Sequence, residues 1–92
     1  MRINTLKDHL DRNISSTKEE IEWYLKKGIT NGYSKQEINR IVKILISCVN
    51  GYKKILSKVP SIKTEEDRRA LVKEMHRIYD IQYCATTNDC KK

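Results

Sequence analysis

Between Ser34 and Pro60 the chain carries an apolar pattern that fits only a fold covering a helix from two sides. Ile38, Ile41, Val42, Ile44, Leu45, Ile46, Cys48, Val49, Tyr52, Ile55 and Leu56 recur at helical spacing. Advanced by about 100° per residue they sweep an arc of roughly 200°, against the roughly 100° stripe of a helix lying on a surface. Ser34 with Glu37 spells a capping box that opens this helix, and Pro60 forbids its continuation beyond about Lys58.

Two further stripes supply the neighbours. Ile3, Leu6, Leu10, Ile14, Ile21, Tyr24, Leu25 and Gly28 share one arc, and they hold it across the weak helix formers between Asn13 and Thr17. Ser16 with Glu19 offers a second start there, which would break the helix near 15–16 and give four helices. The shared register favours one helix, because two independent ones need not keep a common phase. Asn31-Gly32 is a turn dipeptide that ends the segment. Thr64, followed by Glu65, Glu66 and Asp67, caps a third helix and places acids at its positive dipole end; Leu71, Val72, Met75, Ile78, Tyr79 and Gln82 or Ala85 form its stripe. At 1.5 Å per residue the three helices are about 39, 36 and 30 Å long. Matched lengths and short loops imply an all-α, antiparallel up-down-up three-helix bundle. It spans residues 1–84 as one domain, with 85–92 a flexible polar tail.

Ninety-two residues, 34% of them charged, with one Pro and no Phe, suit a small helical domain whose stability margin is thin. No apolar run approaches the length of a membrane span, and the N-terminus lacks a signal-peptide core. Three cysteines without an export signal fit a reducing, cytoplasmic setting.

Charge is the functional clue. The formal net charge of +7 divides as +1 over residues 1–33, +6 over 34–63 and 0 over 64–92, and no acid occurs between Glu37 and Glu65. Lys35, Arg40, Lys43, Lys53, Lys54 and Lys58 fall on or beside the solvent side of the central helix, interleaved with Asn39, Ser47 and Asn50. Such a stripe attracts anions: an acidic protein surface, a nucleic-acid backbone or an anionic lipid. A solvated face that only keeps the protein soluble is the plain alternative. Base-reading devices are missing. Aligned as a helix-turn-helix, Tyr24 occupies the position that needs a small residue, and the loop from Gly28 to Ser34 is too long. No aromatic lies among the lysines to stack on single-stranded bases. Nucleic-acid binding, if it occurs, is then directed to the backbone and indifferent to sequence.

Trp23 falls on the polar side of the first helix near Glu19, Lys26 and Lys27. A tryptophan outside the core stripe suits a partner or self-association contact, or packing at a bundle edge with Tyr33 as a neighbour. Cys48 sits on the apolar arc and reads as a small buried hydrophobe. Cys84 and Cys90 lack zinc-knuckle spacing, and a tail disulfide on oxidation fits them better than a metal. His76 and Asp80 lie one turn apart as a surface pair, with no nucleophile or second acid spaced to join them. The sequence therefore points to a non-catalytic interaction protein of the regulator or inhibitor type, without cofactor or metal. It docks Lys35, Arg40, Lys43, Lys53, Lys54 and Lys58 on an acidic partner, with Trp23 as a second anchor. Backbone-directed nucleic-acid binding is the first alternative, and a structural homodimer sharing the apolar arc the second.

Overall fold

The computed structural model of the protein describes residues 3–86 and contains, in chain order, α1 (Ile3–Lys27), α2 (Lys35–Lys58), a 3-10 turn (Val59–Ser61) and α3 (Glu65–Thr86). The expected all-α, up-down-up bundle is what forms. α2 lies between its neighbours and packs extensively on both, while α1 and α3 meet only sparsely. The molecule is accordingly flattened, 47 × 28 × 16 Å.

α1 runs unbroken through Asn13–Thr17, and Thr17 explains why. It is fully buried between Ile14 and Ile21, and its hydroxyl donates to the Asn13 carbonyl at 2.6 Å. With that polar atom satisfied inside the helix, Thr17 completes the stripe at a position where a new N-terminus would have exposed it. The Ser16–Glu19 start is unused. After Lys27 the Tyr33 amide donates to the Gly28 carbonyl at 3.0 Å, and Gly32 takes the left-handed conformation at φ 93°. The α2 capping box is reciprocal: the Glu37 amide donates to Ser34 Oγ, and the Ser34 amide donates to Glu37 Oε1, both at 3.1 Å. α3 is capped by Thr64, whose Oγ1 accepts from the Asp67 amide, while Asp67 Oδ2 accepts from the Lys63 and Thr64 amides.

The core divides into two clusters along α2. Tyr24, Ile38, Ile41 and Leu45 fill the space near the first loop. Leu6, Leu10 and Ile14 of α1, Cys48, Val49, Tyr52 and Ile55 of α2, and Leu71, Met75 and Ile78 of α3 fill the other end, closed by Val59. A polar relay bridges the helices: Tyr52 donates to Gln82 Oε1 at 2.9 Å, and Gln82 Nε2 donates to Glu20 Oε1 at 2.6 Å. Cys48 is buried and free, its thiol pushed upward by burial, so it behaves as the expected hydrophobe.

Three stripe assignments need correction. Leu25, Ile46 and Tyr79 are 62%, 47% and 53% exposed. Tyr79 sits beside the sparsely packed α1–α3 side, whereas Leu25 and Ile46 sit at the opposite rim of the α1–α2 contact, where no third helix covers them; each outer helix buries one narrow seam. Ala85 and Thr86 belong to α3, so the helix enters what the sequence assigned to the tail. Cys84 is disulfide-bonded. The Ile3 side chain, Cys90 and the rest of the tail lie outside the described residues. Among the described residues His76 and Asp80 form no ion pair.

Two glycines mark close approaches of different kinds. A Cβ on Gly28 would stand 2.4 Å from the Tyr24 carbonyl oxygen and 2.7 Å from Ile38 Cδ1, whereas one on Gly51 would meet only the tip of Ile78, at 2.7 Å. Backbone cannot step aside as a methyl can. Gly28→Ala is expected to destabilise by about 1–3 kcal/mol. Gly51→Ala is expected to change stability by less than about 1 kcal/mol, since the gain in helix propensity offsets a small Ile78 adjustment. Urea unfolding of the two variants checks the order; the reverse order would contradict the close approach of Gly28 to the Tyr24 carbonyl at the end of α1.

Candidate functional site

α2 owes its free face to the way its neighbours divide the rest. α1 lies over the side bearing Ile38, Leu45 and Val49, and α3 covers the side bearing Cys48, Gly51 and Ile55. The remaining side carries Lys35, Arg40, Lys43, Lys53, Lys54 and Lys58, all exposed, with Asn39, Ser47, Asn50 and Ser57 between them. Ion pairs form elsewhere: Glu22 with Lys26 at 3.7 Å, and Glu65 with Arg68 and Arg69. The Arg68 guanidinium holds the Glu65 carboxyl below the usual carboxylate range. Among the described residues none of the six cations of the α2 face has an acidic partner. Sequence reasoning placed Ile46 on the apolar arc, whereas it stands exposed at the edge of this polar face, because a helical wheel alone does not say where the covering helices stop.

Trp23 is 39% exposed and belongs to an aromatic cluster. Its ring meets Tyr24 edge-on at 5.1 Å and Tyr33 at 6.2 Å, and Tyr24 meets Tyr33 at 5.3 Å. Burial, with Tyr33 beside it, pushes the Tyr24 phenol up to about 12. Tyr33 thus plugs the end of the bundle and shares the Trp23 surface as well. Trp23 follows Glu20 by three residues on α1, and Glu20 turns toward Gln82 of α3. The tryptophan therefore lies on the α3 side of α1, and the structure does not bring it onto the same surface as the lysines.

The sparse meeting of α1 with α3 leaves a cleft of about 210 Å³ lined by His9, Asn13, Met75, His76 and Tyr79. A smaller one of about 130 Å³ lies between Glu20 and Gln82, Tyr83 and Thr86. The chain's two histidines share the first, a meeting that their distance in sequence hides. Among the described residues no group of three or more histidine, cysteine or carboxylate side chains is placed to hold a metal ion. No described helix is long and apolar enough to cross a membrane.

No protein family, curated protein or solved structure matches this chain. Function is therefore to be sought in the chemistry of its own surface, where the cations of α2 are the strongest concentration of one charge.

The Trp23 environment gives a direct optical check. Its emission should lie between the buried and water-exposed limits and be quenched readily by acrylamide. Replacing it with Ala should cost about 0.5–1.5 kcal/mol for each edge-on ring pairing that the indole makes. A blue, poorly quenched emission from the monomer would place the indole in the core instead.

Proposed function

We propose that the protein is a non-catalytic interaction module, of the regulator or inhibitor type, that docks the basic face of α2 on an acidic protein surface. The observation that carries this is the set of six exposed cations on one helix face with no acid paired to any of them among the described residues. Segregating like charges raises self-repulsion, which an anionic partner relieves, and the same field speeds encounter with that partner. Soluble helices usually intersperse the two signs, as Glu22 and Lys26 do on α1. The homodimer alternative draws less support, because α1 and α3 of the same chain already cover the apolar arc of α2 except Ile46.

The experiment compares what co-purifies at low salt with the wild-type protein and with the Lys43→Glu/Lys54→Glu variant. A protein band present only with the wild type, at an absorbance ratio typical of protein, supports the proposal. A high 260/280 nm ratio, with duplex DNA affinity falling at a log–log salt slope near −4 to −5, would instead establish a backbone-directed nucleic-acid binder. If neither material is retained by the wild type, the face is a solvated one and the proposal fails.

A further inference from the structure

We infer that the groove between α1 and α2, on the side turned away from α3, seats an amphipathic helix of the partner, apolar along one edge and acidic along its flanks. This rests on the proposal that the basic face docks an acidic protein, and it names the chemistry of that partner. Gly28 packs on Ile38, which sets the register of the antiparallel pair. On that register Leu25 stands level with Ile41 and Val42, and Ile46 lies about one turn further along α2. α3 takes the opposite side, where Glu20 and Asn13 of α1 and Gly51 of α2 face it. Leu25 and Ile46, 62% and 47% exposed, and the half-buried Val42 therefore form a short apolar seam on the open side of the pair.

The rim of the seam says what covers it. Lys18 of α1 and Lys35, Lys43 and Lys53 of α2 border it, all exposed. Glu22, the acid nearest Leu25 on that edge, is paired with Lys26. A helix laid in the groove meets Leu25 and Ile46 with side chains one turn apart, the spacing of i and i+4 positions, and its flanking carboxylates reach the lysines. A second copy of this chain seated through the same face would set lysine against lysine. A nucleic-acid backbone would leave two large apolar side chains facing phosphates with nothing to gain from them. The apolar anchor with a charged rim is the arrangement that concentrates binding energy in protein interfaces.

The test uses two fluorescently labelled synthetic peptides of identical composition. One places leucines at i, i+3, i+4 and i+7 with glutamates on both flanks; the other scrambles the order so that no apolar edge forms. At about 150 mM salt the ordered peptide should bind at least tenfold more tightly in an anisotropy titration. Leu25→Ser and Ile46→Ser, both exposed positions whose folding is checked by circular dichroism, should each weaken it at least tenfold. Equal binding of the two peptides, abolished in Lys43→Glu/Lys54→Glu, overturns the apolar seam and leaves the acidic-partner proposal standing. No binding of either peptide at low salt overturns both. A concentration-dependent dimer in sedimentation of the protein alone, abolished by Ile46→Ser, shows that a second copy occupies the groove and overturns the inference.

Discussion

Replacing Tyr52 with Ala is expected to remove about 3–5 kcal/mol of stability, the usual range for deleting a buried aromatic ring. Tyr52 is fully buried in the cluster where all three helices contribute side chains, so no single neighbour can move to fill the void. Its hydroxyl also begins the relay to Gln82 and Glu20, and burial pushes the phenol above its ordinary range, keeping it a protonated donor. A domain of this length holds about 5–14 kcal/mol in total, and each kcal/mol shifts the melting midpoint of a domain this size by about 4–8 °C. The variant should therefore melt roughly 12–40 °C lower. Tyr52→Phe separates the two contributions: it keeps the ring and leaves the Gln82 carbonyl oxygen without its donor, at about 1–3 kcal/mol. Urea and thermal unfolding of both variants measure these effects. A Tyr52→Ala loss below about 1 kcal/mol would mean that the three helices do not share one core.

Reversing Lys43 and Lys54 to Glu is expected to abolish partner capture while leaving the helix content unchanged. Both side chains are exposed and, among the described residues, neither is in an ion pair, so no attraction that holds the fold together depends on their charge. Two reversals change the net charge from +7 to +3, all of it on the face that carries the excess. Because charge reversal on an interface replaces attraction by repulsion, affinity should fall by at least about tenfold, mostly through slower association, with a weaker salt dependence. Measuring association rates across salt concentrations, with circular dichroism as the folding control, gives the answer. Capture that survives both reversals at low salt would reduce the face to a solubility device.

How these two effects arise marks the division between sequence and fold. The helices and their ends were legible because they depend on local chemistry: the Ser34–Glu37 box, the Thr64–Asp67 cap and Pro60 act within a turn or two of chain. The continuity of α1 was legible too, since a shared phase survives weak propensity, although the reason for it, Thr17 buried in the seam, needed the packed structure. The cations were likewise fixed in advance, because an acid-free interval on a helix is a property of composition and period alone.

What no periodicity could decide was how far the neighbours wrap around α2. A helical wheel gives the width of the apolar arc but not the position of its cover: the sparse meeting of α1 with α3 left Tyr79 at the surface, and the placing of α3 on one side of the α1–α2 pair left Leu25 and Ile46 exposed on the other. The same separation brought His9 and His76 into one cleft and turned Trp23 away from the lysines. The relay from Tyr52 through Gln82 to Glu20 joins residues tens of positions apart. Sequence alone determined three amphipathic helices and where the charge lies along them, because hydrogen bonding within a helix and side-chain period are local. Tertiary structure decided which apolar residues stay in water, because burial depends on the angles at which the helices pack.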